Sequence, residues 1–239
     1  MKAFLFLFLV AFSLQFNGQK LYQINPPDGF VLKAKAIMDI EMIMGEKIKP
    51  IKTKTHSFYK LVKVRNHSDY IEFNLIIDSM IMTVDAKGKV EVANSNIPSS
   101  YENNPKLEGT FDVIGKPMLV KISNNGKLIK DVPTSQLAEF CVLQYSDEPV
   151  KVGEAWETVQ EDESSGIKTT TKIKNIIEVI EGDLMKINSV SENEMLGPEP
   201  VSAYMYADEK TGMLKKYEFS VTTKMFGTMK MAIKYEANW

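Results

Sequence analysis

The sequence predicts a mainly β protein: a strongly curved antiparallel sheet or half-barrel in two linked halves, with one short helix packed on it. Three observations carry this expectation. Apolar residues recur at a period of two along most of the chain. Met38, Ile40, Met42 and Met44 share one face of such a run, and Asp39 and Glu41 lie on the other. Turns rich in Gly, Asn and Asp separate the runs, among them Asp85-Ala-Lys-Gly88 and Asn124-Asn-Gly126, where Gly supplies the positive φ that a hairpin needs. One stretch changes period: from Pro133 to Tyr145, Leu137, Phe140, Cys141 and Tyr145 recur at helical spacing, with Thr134 or Ser135 able to cap the first turn.

In chain order, Met1 to Gly18 reads as a secretory leader. Lys2 gives the positive start, and Ala3 to Leu14 is an apolar core too short for a spanning helix of ~20 residues. No Cys lies near its end to carry a lipid anchor. Lys20 to Asp28 is a polar, Pro-rich lead-in. Strands are expected over Gly29 to Met44, Ile51 to Val64, Tyr70 to Val84 and Lys89 to Ala93. Asn94 to Glu108 lacks periodicity and reads as a loop. Phe111 to Ser123 and Lys127 to Val132 form a hairpin, with Pro117 at an edge or break because it cannot donate to a ladder. After the helix comes a seam, Asp147 to Trp156, and then a second run of hairpins: Ala155 to Gln160, Ile167 to Ile180, Leu184 to Asn193, Ser202 to Ala207, Met213 to Lys224 and Thr228 to Glu236. The chain thus divides into a leader (1–18), an N-terminal β half (19–132), helix and seam (133–153) and a C-terminal β half (154–239), the halves being linked or one continuous domain. Ser57 to Phe73 resembles Thr171 to Ile187 in its Lys and β-branched hairpin pattern, which is open to duplication or to coincidence of composition.

The totals exclude several functions. A net charge of −2, with 29 basic residues spread singly along the strands, gives no nucleic-acid footprint. With a single cysteine, Cys141, the chain has no internal disulfide, and with only His56 and His67 it lacks the ligands of a zinc site. Cys141, on the apolar stripe, reads as a buried, inert thiol. His67-Ser68-Asp69 holds the residue types of a hydrolytic triad, but three contiguous turn residues cannot converge as a triad must. Glu161 to Glu163 read as a solvated turn; Glu192, Glu194 and Glu199 could rim an opening, and nothing pairs them as acid and base. Catalytic residues, a metal site and a cofactor are therefore not expected.

The methionines stand out. Fourteen are present, and Met42/Met44, Met80/Met82 and Met229/Met231 are spaced so that each pair points to one side of a strand. With Met38 they read in three ways: filling for a β core, a deformable apolar face for a lipid-like ligand, or soft thioether ligands for copper(I). At the seam, Val150 and Val152 are expected to alternate inward, Gly153 to let the chain bend, and Trp156 to plug the core. The C-terminal alternation ending on Trp239 is also that of a closing strand in an outer-membrane barrel, but Ile51 to Ser57 offers no apolar outward face.

Pro149-Val-Lys-Val-Gly-Glu-Ala-Trp156, preceded by the expected helix and by Asn125 to Asp131, resembles an uncharacterised family of exported, β-rich bacterial envelope proteins, often lipoproteins, with a central proline-valine-x-valine-glycine-x-x-tryptophan stretch. The expected architecture is similar to periplasmic half-barrel carriers of lipoproteins or lipids. The resemblance implies export to the periplasm, cell envelope or exterior, and no known activity. Together these readings lead to a non-catalytic protein, not integral to the membrane once its leader is cleaved, that binds a hydrophobic ligand or an apolar partner segment. The alternatives are an assembly module pairing with another envelope protein through an exposed strand edge, and a hydrolase without a recognisable motif.

Overall fold

Alternation and tight turns give one antiparallel sheet. A computed structural model describes residues 19–45, 49–102, 111–129, 136–162, 169–192, 200–224 and 228–239. The strands are β1 (Val31–Ile43), β2 (Ile51–Asn66), β3 (Tyr70–Ala86), β4 (Lys89–Asn94), β5 (Met118–Ser123), β6 (Leu128–Ile129), β7 (Ala155–Asp162), β8 (Thr169–Glu181), β9 (Leu184–Glu192), β10 (Val201–Asp208), β11 (Leu214–Lys224) and β12 (Thr228–Asn238). Their order is β6-β5-β3-β2-β1-β12-β11-β10-β9-β8-β7, with β4 paired to the far end of β3. The path is not closed into a barrel. Strands from both sides of the seam belong to this one sheet, joined where β1 meets β12 from Lys33↔Asn238 to Ile43↔Thr228.

The two faces differ as the alternation requires. The outer face carries lysines in exposed cross-strand pairs such as Glu41 to Lys52 and Lys230 and Asp39 to Lys54. Such pairs contribute little each and mark a solvated face. The inner face carries Leu32, Tyr59, Leu61, Phe73, Leu75, Ile177, Ile187 and Tyr235, none more than 1% exposed.

At one end, near the β2–β3 and β10–β11 turns, two irregular segments lie on this inner face. Residues 19–30 bury Tyr22, Ile24 and Phe30, and residues 137–150 bury Ala138, Cys141, Val142, Leu143, Tyr145 and Val150. The segments pair with each other at Lys20↔Val150. Lys63 holds the first from the sheet, its Nζ donating to the Pro26 carbonyl (2.7 Å) and to Asp28 (2.9 Å). The Ile24 N–H donates to the Asn124 carbonyl beside β5, and the next amide, Asn25, donates to the Thr211 carbonyl between β10 and β11. Five strand steps separate β5 from β11, about 24 Å in a flat sheet. Two consecutive amides reach carbonyls only about 10 Å apart, so the sheet bends around this segment. Bulges after Phe58, Lys63, Ile177 and Tyr206 supply local bend and twist.

The expected helix is corrected. Among the described residues of 133–145 only Gln136–Glu139 is helical. Val142 instead forms an antiparallel bridge with Met213, the Leu214 N–H donates to the Cys141 carbonyl, and residues 143–146 form no regular secondary structure. The helical spacing of apolar residues is also compatible with an irregular strap that buries residues on contact, and a short helix is marginal against hydrogen bonding to the start of β11. Phe111 to Lys116 is likewise not strand: it turns, bridging only at Ile114 to Ile77, and β5 begins after Pro117. The leader and the candidate caps Thr134 and Ser135 lie outside the described residues, and no helix among the described residues is long and apolar enough to cross a membrane.

Candidate functional site

Beyond the two covering segments, the inner face continues toward the β3–β4 turn on the same strands. The cross-strand register carries one row from Asn175 on β8 to Ser189 and Ala203, and another from Phe219 on β11 to Ile233, Met38, Thr55 and Met82. The next row toward the rim includes Ile173 with Ser191, and Val221, Met231, Ile40, Thr53 and Val84. By alternation no charged side chain points inward between Trp156–Gln160 of β7 and Met80–Ala86 of β3.

The register brings most of the candidate methionines together. Met42 lies directly opposite Met229, and Ile40 opposite Met231. Met38, Met82, Met229 and Met231 are half-buried, and Met42 is 37% exposed. Met38 and Met231 pack on the margin of the main core. Met80 is separate: it is buried with Ala93 and Phe111 in a satellite cluster roofed by Tyr101. Met44 lies past the end of β1 and is 62% exposed. Four thioether positions, Met38 and Met42 on β1 and Met229 and Met231 on β12, therefore border one half-open apolar patch, with Met82 two strands away across β2.

The seam is built differently from expectation at one residue. Val150 is buried, but Val152 is 43% exposed. Residues 152–153 turn, with Gly153 at φ 85°, so the alternation stops after Val150. Trp156 is 5% exposed, stacks on Tyr145 at 6.3 Å and donates its indole N–H to the Gln144 carbonyl (3.1 Å). It fixes the start of β7 to the strap.

Titratable groups near the strap serve packing. Cys141 is fully buried among tyrosines, its Sγ 3.9 Å from the Tyr59 hydroxyl. Burial pushes its thiol up to about 12, with Tyr59 and Tyr235 pulling the other way. The Tyr145 hydroxyl donates to the Gly212 carbonyl (2.9 Å), and burial raises it. His67 stacks on Tyr70 (4.2 Å) within its own hairpin, while the Ser68 and Asp69 carbonyls accept from Asn124 and so hold two turns together. Among the described residues no three His, Cys, Asp or Glu side chains converge as metal ligands. Glu192 ends β9, and Glu194 and Glu199 lie outside the described residues.

Two features were missed in sequence. One is the covering role of residues 19–30, whose signal was the alternation of Tyr22 and Ile24. The other is a polar group on the inner face: Asn175, Ser189 and Thr158, all buried. Its signal was Asn175 standing between Ile173 and Ile177 at an inward position, with Lys172 and Lys174 pointing out.

No family model matches the chain, and no curated protein matches it. Among solved structures, the chain is similar to DynF from the dynemicin biosynthesis pathway of Micromonospora chersina, at 8% identity over 92% of this chain and 85% of that one, with a TM-score of 0.25. It is also similar to a DUF1329 family protein from Desulfovibrio piger, at 13% identity over 88% and 84%, with a TM-score of 0.18. At these TM-scores neither likeness identifies a function.

Proposed function

We propose that this protein is an exported, non-catalytic binder of a hydrophobic ligand, lipid-like or an apolar segment of an envelope partner, and that the sheet is a half-barrel whose uncovered end is the binding face. Membership in the envelope family with the proline-valine-x-valine-glycine-x-x-tryptophan stretch belongs to the same reading. The observation that carries it is the half-open, charge-free inner face of Met38, Ile40, Met42, Met229 and Met231, continuous with a core that elsewhere is fully covered. Apolar surface on the inside of a bent sheet is stabilised by covering it, and thioether chains adapt to varied shapes. Native mass spectrometry of protein purified from its own envelope tests this directly, with co-purified lipid expected. Absence of bound lipid, together with no enhancement of N-phenyl-1-naphthylamine fluorescence, would overturn it. Met42→Lys with Met231→Lys should abolish the probe signal while the fold persists, because a charge on this face must be desolvated by any apolar ligand.

A second reading rests on a different observation. Among the described residues β7 pairs only with β8 and no strand pairs with its other edge, and Val159 on it is 50% exposed. An assembly module would pair through that edge. Sedimentation of the wild type and Val159→Pro separates the readings: a complex lost in the variant supports edge pairing, and an unchanged monomer removes it.

A further inference from the structure

The geometry points to Asn175 as the polar subsite of the binding face, taking the carbonyl oxygen of a neutral ester or amide on an otherwise apolar ligand. This rests on the ligand-binding reading above. Asn175 is 0% exposed at the centre of β8, and its side-chain Nδ2 is buried without a hydrogen-bond partner among the described residues. Its Oδ1 accepts from the Ser189 hydroxyl directly across on β9, so the amide is held with its nitrogen as the free donor. Trp156 faces it from β7, and Thr158 is the next inward residue on that strand.

An orphaned amide donor is costly in a core, because the water it gave up is not replaced. Leu or Val would fill an inward β position at no such cost. Asn is also disfavoured in strand interiors. The position in the fold gives the donor a use. Asn175 lies in the register row that leads through Ser189 to Ala203, and in the next row toward the rim Thr158 is still buried while burial falls off on β8 and β9. Ile173 and Ser191, one inward position closer to the rim, are half-buried. Surface within reach of a ligand therefore begins about 7 Å from the amide along the strand.

The chemistry of the surroundings selects the ligand class. With no charged side chain pointing inward between Trp156–Gln160 and Met80–Ala86, a phosphate or carboxylate brought to Asn175 would be buried without a counter-charge. A neutral acceptor meets no such penalty. An acyl ester or amide has the required shape: an apolar chain for the methionine side and one carbonyl for the amide.

The test displaces N-phenyl-1-naphthylamine from the full chain with methyl dodecanoate or with tetradecane, for the wild type and for Asn175→Leu. The wild type should release probe at about tenfold lower ester than alkane concentration. Asn175→Leu should lose that preference while retaining alkane binding. A wild type that does not prefer the ester, or a preference that survives in Asn175→Leu, overturns the subsite and leaves the apolar face standing. Failure of both compounds to displace a probe that binds, or of the probe to bind at all, overturns the binding reading and the subsite with it. Should Asn175→Leu not fold, the infrared carbonyl stretch of the 13C-labelled ester bound to the wild type decides. A shift to lower frequency marks a donated hydrogen bond, and the band of a free ester overturns the proposal.

Discussion

The same long strands run through two differently built halves of the inner face. At the covered end, β1, β2, β11 and β12 present Leu32, Tyr59, Tyr217 and Tyr235, which are packed beneath the strap and the N-terminal segment. At the other end β1, β2 and β12 present Ile40, Met42, Thr53, Met229 and Met231, half-buried or exposed, while Val221 and Thr223 of β11 stay buried. The difference teaches that side-chain choice follows the cover. Rigid aromatics, among them Tyr235 with its hydroxyl donating to the Leu214 carbonyl, occur where the chain itself lies against them. On β1, β2 and β12, flexible thioethers and small hydroxyls occur where it does not. Burial at the covered end stabilises the fold, and the open end is free to serve another purpose.

The contrast breaks most severely where the strap meets the sheet. Trp156→Ala removes an indole that is 5% exposed and stacked on Tyr145; chemical denaturation should show a loss of ~3–5 kcal/mol. A native indole with the emission of a solvated one would contradict this. Next in size is Gly126→Ala. Gly126 has φ 88°, and a Cβ there would lie 2.0 Å from the Leu143 carbonyl oxygen. Backbone strain of ~1–2 kcal/mol adds to displacement of the strap, so the melting midpoint should fall clearly. Gly182→Ala is the control, with φ 62° and nothing within 4 Å of the added carbon; it should show the strain alone. Tyr145→Phe follows: losing the bond to the Gly212 carbonyl should cost about 1–2 kcal/mol.

These three sites also show what could be read from sequence. The period of two placed nearly every strand and put Met42 and Met229 on faces that the register then set opposite each other. The seam tryptophan was identifiable as a plug because a large apolar residue follows a Gly turn at the start of a strand. The strap was not legible. Leu137, Phe140, Cys141 and Tyr145 fit a helical stripe, yet the segment's partners are the Met213 and Asn125 backbones, tens of residues distant. Local periodicity carries no information about such partners. The strand order was hidden for the same reason, since nothing local says that the last strand returns to the first. Asn175 was legible as an inward residue; that its nitrogen has no partner among the described residues depends on neighbours from two other strands.

A smaller effect should depend on pH. Asp208 closes the β10–β11 turn that carries both Thr211 and Gly212, the acceptors for Asn25 and Tyr145. Burial pushes its carboxyl up, but the N–H and hydroxyl of Thr211 and the Lys215 ammonium more than offset this, leaving it below the ordinary value. A carboxylate depressed in the folded state contributes stability that is complete above the unfolded value near about 4 and lost as pH falls through the folded one. Wild type should therefore exceed Asp208→Asn in stability by a constant margin above about pH 5, and the margin should shrink on acidification below about 4. A margin that does not change with pH would mean that the turn is held by shape rather than charge.

The smallest effect is expected at the open end. Met42 is 37% exposed, opposite Met229 on the edge of the half-open patch. Met42→Thr keeps a residue suited to a strand and removes little buried surface, so its denaturation midpoint should match wild type within about 0.5 kcal/mol. Met80→Thr, on the same inner face but buried under Phe111, should cost several times more. Equal losses at the two positions would mean that Met42 is as fully packed as Met80 and that the two ends of the face do not differ in kind. A near-neutral Met42→Thr that nevertheless weakens N-phenyl-1-naphthylamine binding would separate the two ends by purpose, one holding the fold together and the other meeting the ligand.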